Sequence, residues 1–173
     1  MMKTEAYSSL SAATRAVLEQ YVEEEFGQVP FVQEREWARP DWVLLAYEGD
    51  AIATFCHVVL REVSIDGQTY KVAGINNVIT PKAYRGKGYA SQVLRQAAPF
   101  IFSQLGCAYG LLLCADALLP FYSRLGWYSL SNCTLYYHQP TGEQLYDSNT
   151  MLLLPPGQQP IRPQHIHLNG LPW

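Results

Sequence analysis

The chain has 173 residues, a formal net charge of −3 and a pI near 5.8, which is enough length for one domain with a substantial core and argues against general nucleic-acid binding. No apolar run reaches membrane-spanning length, and the stretch Met1-Met2-Lys3-Thr4-Glu5-Ala6-Tyr7-Ser8 lacks the apolar centre of a signal peptide. Cys56, Cys107, Cys114 and Cys133 sit far apart in apolar segments without metal-ligand spacing, so we expect buried free thiols in a reducing, cytoplasmic setting and no bound metal.

Leu10, Ala13, Val17, Leu18, Tyr21, Val22 and Phe26 recur at helical spacing, with Ser9 or Ser11 as a cap and Gly27 as a stop. The run Glu23-Glu24-Glu25 near the end of that helix reads either as a solvated acidic face or as an attractor for a cationic substrate. Residues 28–40 have no clean period; Phe31 and Trp37 either line a pocket or pin the loop to the core. Strands are expected over residues 42–47, 51–65 and 68–80 in an antiparallel meander, with Asp66-Gly67 supplying the positive-φ centres of a type I′ hairpin. His57 is expected to pack on the long strand, and Asn76-Asn77 interrupts the apolar alternation of the third, which predicts a bulge.

The segment Val78-Ile79-Thr80-Pro81-Lys82-Ala83-Tyr84-Arg85-Gly86-Lys87-Gly88-Tyr89-Ala90-Ser91 runs from a strand through a glycine turn into a helix carried by Ala90, Val93, Leu94, Ala97 and Ile101. Gly86 and Gly88 let backbone N–H groups converge at the helix N-terminus, and Arg85 and Lys87 add positive charge, so the stretch reads as an anion cradle. It is not a nucleotide P-loop, which needs Gly-Lys-Ser/Thr after four residues, nor a dinucleotide fingerprint, which needs a third Gly or Ala where Ser91 stands. Pro99 predicts a kink or break over residues 95–99. Residues 109–115 read as a buried parallel strand and 120–125 as a short helix closed by Gly126. Residues 127–138 are expected as one strand, 139–147 as a loop and 149–154 as a final strand closing a domain of residues 1–154. The proline-rich tail, 155–173, is expected to run extended over the surface; His165-x-His167 lacks further ligands for a metal.

Arg85-x-x-Gly88-x-Ala90 after a strand, followed downstream by Leu119-Pro120-Phe121-Tyr122-Ser123-Arg124-Leu125-Gly126-Trp127, resembles the GNAT superfamily of N-acetyltransferases. The resemblance implies an α/β (α+β) fold: a mixed, mostly antiparallel central sheet with helices on both faces and a splayed parallel strand pair holding coenzyme A. It implies acetyl-CoA as co-substrate, with Arg85, Gly86, Lys87, Gly88, Tyr89, Ala90 and Ser91 around its pyrophosphate. Backbone groups of Val78, Ile79 and Thr80 would pair with the pantetheine arm, and one of their N–H groups would polarise the thioester carbonyl. Tyr122 matches the tyrosine that protonates the departing thiolate. Family members also dimerise, so a homodimer is an implied option.

The Tyr84-Arg85-x-x-Gly88 cradle and the terminal tryptophan are also similar to aminoglycoside acetyltransferases that modify a 2-position amine, in which a glutamate stands where this chain has Asn76. Asn76 cannot accept a proton. A lysine-like amine, of pKa about 10.4, costs about 4.6 kcal/mol to deprotonate at pH 7, whereas an α-amino group near 7.8 costs about 1. The expected acceptor is therefore a primary amine of low pKa on a small molecule: an amino acid, an amino sugar or a peptide N-terminus. Asn76 and Asn77 are expected beside the acceptor, with Glu34 or Asp116 serving as a base through water. The alternatives are a different acyl donor or acceptor, and a non-catalytic acyl-CoA sensor or scaffold.

Overall fold

A computed structural model describes every residue from Met1 to Trp173. The chain opens on a strand that its sequence does not suggest: β1 (Met2–Ala6) lies antiparallel to β2 (Trp42–Glu48), from Met2 opposite Ala46 to Ala6 opposite Trp42. Lys3-Thr4-Glu5 has no apolar alternation; the segment is a strand because the edge of β2 is open to it. Helix α1 (Ala12–Phe26) starts at Ser11, whose Oγ accepts from the Thr14 N–H at 3.0 Å, and buries Leu18 completely. The short α2 (Pro30–Gln33) begins on a proline, whose missing N–H costs a first helical turn nothing.

Strands β3 (Ala51–Ile65) and β4 (Gln68–Ile79) form the long hairpin, with Asp66 at φ 47° and Gly67 at φ 80°. The register steps from His57 opposite Asn76 to Phe55 opposite Ile79, two residues on β3 against three on β4, and Asn77 takes φ 48°. The bulge therefore lies where the paired asparagines predicted it. Helix α3 (Tyr89–Pro99) does not stop near Pro99. It widens into a π-type turn over Phe100–Gln104, closed by the Leu105 N–H on the Phe100 carbonyl at 2.9 Å. Proline removes one helical donor, and the wider winding re-routes those that follow.

Strand β5 (Tyr109–Cys114) runs parallel to β4 from Val72–Tyr109 to Ile75–Leu112, and there the pairing ends. Beyond that point β4 bulges and the two strands part, which is the splayed pair. Helix α4 (Leu119–Ser123) follows, with Gly126 left-handed at φ 89°.

Three expectations fail after this point. Residues 127–138 form not one strand but two, β6 (Tyr128–Ser129) and β7 (Thr134–Gln139), which lie on opposite sides of the sheet. Asn132, at φ 58°, turns the chain between them without disturbing the alternation on either side. The supposed loop holds β8 (Gly142–Tyr146), the hairpin partner of β7, before β9 (Asn149–Leu153) returns beside β5. The tail departs further. It supplies β10 (His165–His167), antiparallel to β3 and parallel to β7, and it buries Ile166, Leu168 and Trp173. Trp173 lies flat enough on β4 that a Cβ on Gly74 would come within 2.1 Å of its ring, and its Nε1–H donates to the Leu111 carbonyl at 3.2 Å.

The main path of the ten-stranded sheet is β6-β9-β5-β4-β3-β10-β7-β8, with β2 and β1 continuing from the other half of the β3 edge that β10 uses. One face packs on α3 and α4 through Val93, Leu94, Ala97, Tyr122 and Trp127. The other is covered by α1 at one end and by the curled β7, β10 and Trp173 at the other. No helix is long and apolar enough to cross a membrane.

Candidate active site

The mouth of the splay is lined by the turn that leads into α3. Gly86 and Gly88 take φ 78° and 79°, and a Cβ on either would meet nothing within 4 Å. Backbone conformation rather than crowding therefore requires glycine here. The first hydrogen bond of the helix runs from the Gln92 N–H to the Gly88 carbonyl at 3.1 Å, and the N–H groups of Gly86, Lys87, Gly88, Tyr89, Ala90 and Ser91 take no acceptor. A run of unpaired donors at the positive end of a helix suits a phosphate, and the open space above the glycines leaves room for one.

The cations of the cradle are already engaged. Arg85 donates through Nε to the Thr80 carbonyl at 2.9 Å and through Nη2 to Glu25 at 2.6 Å. Lys87 sits 3.0 Å from both oxygens of Glu48, which also accepts from the Tyr89 hydroxyl. That hydroxyl, then Lys87, holds the Glu48 carboxyl below its ordinary range. Glu25 belongs to the acidic run at the end of α1, so one member of that run has a specific partner across the fold.

Deeper in the splay, buried Thr54 donates its hydroxyl to the Ile79 carbonyl at 2.8 Å and lies 2.8 Å from the Thr80 hydroxyl, which fixes the strand end carrying Val78, Ile79 and Thr80. On the face of α3 and α4, Tyr122 projects inward from α4 and is 7 % exposed. It packs edge-on against Phe121 at 5.1 Å and Trp127 at 6.4 Å. Its hydroxyl takes no partner, yet it is not among the polar atoms sealed from solvent. Burial pushes the phenol well above its usual pKa, and the nearby Cys114 and Cys56 thiols add to the rise.

On the opposite face the bulge brings Asn76 and Asn77 beside His57. Asn76 Oδ1 accepts the Asn77 N–H at 2.8 Å, and Asn77 Nδ2 lies 3.1 Å from His57 Nδ1. With the amide donating, the imidazole proton sits on Nε2, which is buried without a partner. Burial lowers the pKa of His57 to about 4, so the ring is neutral near pH 7 and a poor base. Asp116, exposed after β5, accepts from Asn149 Nδ2 at 2.7 Å, while Glu34 is exposed at the end of α2 and makes no side-chain hydrogen bond or ion pair. The surface hollows around Tyr128, Ser131 and Arg162 hold none of these residues.

A family model described as Acetyltransferase (GNAT) domain matches residues 4–129, most of the chain and all of the cradle, splay and Tyr122. The chain belongs to the GNAT acetyltransferase family. Solved structures agree on the GNAT fold. YhbS of Escherichia coli, a GNAT family N-acetyltransferase in complex with CoA, superposes with a TM-score of 0.62 at 15 % identity, covering 98 % of this chain and 89 % of that one. ElaA of Escherichia coli gives 0.61 at 16 % identity, covering 88 % and 98 %. An acyl-CoA N-acyltransferase from Pseudomonas aeruginosa gives 0.58 at 15 % identity, covering 88 % and 99 %. No curated protein sequence matches.

This GNAT chain carries one wall that motif reading missed. Phe31 of α2 meets the Tyr146 ring edge-on at 5.9 Å, and Tyr146 meets Tyr137 at 6.5 Å. Arg35 lies 3.6 Å over the Phe31 ring and donates through Nε to the Tyr137 hydroxyl at 2.9 Å and through Nη1 to the Phe31 carbonyl at 2.8 Å. Ser148, two residues beyond Tyr146, donates to the Cys114 carbonyl at 3.0 Å and so ties the wall to the splayed end of β5. Burial, with the Cys114 thiol adding, pushes Tyr146 up to about 12. Phe31 was a visible candidate in the sequence; Tyr137 and Tyr146 were not, because their hairpin was not.

Proposed function

We propose that the protein transfers an acetyl group from acetyl-CoA directly to a primary amine of low pKa on a small molecule. The observation that carries this reading is the unbroken run of unpaired N–H groups from Gly86 to Ser91 at the mouth of the splay. In that place they suit a pyrophosphate, and YhbS, the relative solved with CoA, shares the fold. Acetyl-CoA supplies an activated thioester. The chain orients it: the cradle holds the phosphates, the strand end at Val78, Ile79 and Thr80 pairs with the arm, and a backbone N–H there polarises the carbonyl, a contribution of about 3 kcal/mol in a dry site.

The amine nitrogen attacks the carbonyl carbon, the carbon–sulfur bond breaks, and Tyr122 gives its proton to the departing sulfur. The nitrogen sheds one proton to water as it becomes an amide, and water returns one to the Tyr122 phenolate. Phenol to thiolate transfer is uphill by about 2 kcal/mol at ordinary pKa values. Burial makes Tyr122 a weaker acid but keeps it protonated at any working pH, and the same dry surroundings raise the basicity of the thiolate. For the amine proton the site offers little: Asn76 cannot take it, and His57 is a poor acceptor. The acceptor must therefore arrive largely neutral, which favours a peptide N-terminus or an amino sugar over a protein lysine.

Thiol release from acetyl-CoA is measured against amino acids, short peptides, aminoglycosides and polyamines. We expect turnover of low-pKa amines, a loss of about 100-fold in kcat for Tyr122→Phe, and acetyl-CoA affinity within about twofold of the parent. Fast turnover of polyamines would overturn the acceptor argument. Tight acetyl-CoA binding with a silent panel would favour the acyl-CoA sensor, a reading that the missing base at Asn76 also supports.

A further inference from the structure

Arg35 is a partly buried cation with no carboxylate partner. The ion pairs of the protein are Arg85–Glu25, Lys87–Glu48 and the contacts of His138 and His167 with Glu143; none reaches Arg35. Its guanidinium is fixed on one side by the Phe31 ring and carbonyl and by the Tyr137 hydroxyl, while Nη2 makes no hydrogen bond and is not sealed from solvent. A planar fork held this way, with its Nη1–Nη2 edge still offering donors, is preorganised for a carboxylate.

Two contact routes connect Arg35 to the splayed strands. Along one, Ala38, three residues beyond Arg35, donates its N–H to the Pro172 carbonyl at 2.8 Å, and Trp173 lies on Gly74 of β4. Asn76, two residues further along β4, shares that face. Along the other, Tyr137 meets Tyr146, and Ser148 holds the Cys114 carbonyl at the end of β5.

We infer that Arg35 forms the carboxylate subsite of the acceptor pocket, so that the acceptor is a short peptide carrying both a free N-terminal amine and a C-terminal carboxylate. This rests on the amine-transfer reading above and narrows it. Aminoglycosides and polyamines have no carboxylate, and their positive charge is repelled by Arg35. The peptide end of the acceptor range is therefore selected.

The test pairs each dipeptide with its C-terminal amide, alongside polyamines and aminoglycosides, and follows thiol release. In the unmodified protein the dipeptide acids should exceed their amides by about 10- to 100-fold in kcat/KM. Arg35→Gln should remove that preference through KM, and Arg35→Lys should restore part of it. Because the acid-to-amide ratio is read without any mutation, a poorly folding variant does not remove the test. Amides or carboxylate-free amines turned over as well as the acids would sink the subsite and leave acetyl transfer standing. Acids that bind the protein–CoA complex by calorimetry in an Arg35-dependent way, without turnover, would keep the subsite and sink the transfer. Neither turnover nor binding would overturn both.

Discussion

The two halves of the candidate site are built in different ways. The cofactor half is one continuous stretch, residues 78–91, whose working groups are backbone donors exposed by Gly86 and Gly88. The proposed acceptor half is assembled from α2 and its loop, the β7–β8 hairpin, the β4 bulge and the C-terminal residues, and its working groups are side chains. A site made of contiguous backbone depends on local conformation. One made of distant side chains depends on the packing that gathers them, so stability and acceptor selection should fail together there and separately in the cradle.

The largest effect expected from this difference is at Trp173. Trp173→Ala removes a ring that covers Gly74 and fills the core behind the acceptor wall, and it should cost about 3–5 kcal/mol in denaturant unfolding. Retention of full stability would show the tail to be dispensable. Next comes acid sensitivity at His57, which joins the two halves at the bulge. Its folded pKa of about 4 lies below the ordinary value of 6.5. Between those values the unfolded chain binds a proton that the folded one refuses. Stability is therefore full above about pH 6.5 and falls as pH drops toward 4, by up to about 3 kcal/mol. Unfolding of His57→Phe followed over that range should lose this dependence, and an unchanged profile would assign it elsewhere.

In the cradle the effects should fall on binding alone. Gly88→Val forces a β-branched residue into φ 79° and should weaken acetyl-CoA binding by about 10- to 100-fold in calorimetry, with much less change in acceptor KM. The smallest effect belongs to Glu48→Gln. Glu48 competes with phosphate for Lys87 at the surface, so its neutralisation should tighten acetyl-CoA binding by about threefold at low salt, fading as salt is added. Weaker binding would mean instead that Glu48 serves to position Lys87.

How much of this was legible follows the same division. The hairpin at Asp66-Gly67, the bulge at Asn76-Asn77, the glycine turn into α3 and the short helix that carries Tyr122 were all legible because each rests on a local signal: a turn dipeptide, a broken alternation, glycines that need positive φ, a proline start with a glycine stop. The β1 strand was missed because Lys3-Thr4-Glu5 is strand only in the company of β2. The break between β6 and β7 was missed because alternation continues through both pieces.

The amino-acid sequence by itself determined the backbone-built part of this protein: the strand–turn–helix cradle, the tyrosine on its short helix and the family to which they point. Tertiary structure alone decided where the tail goes, what pairs with the cradle's cations and which side chains gather around Phe31 and Tyr146. Arg35 reaches the Tyr137 hydroxyl across 102 residues of chain, and Ser148 reaches the Cys114 carbonyl across 34. Spacing along a chain reports only neighbours within a few residues, whereas such contacts exist only once the sheet has closed and buried the apolar residues that bring them together.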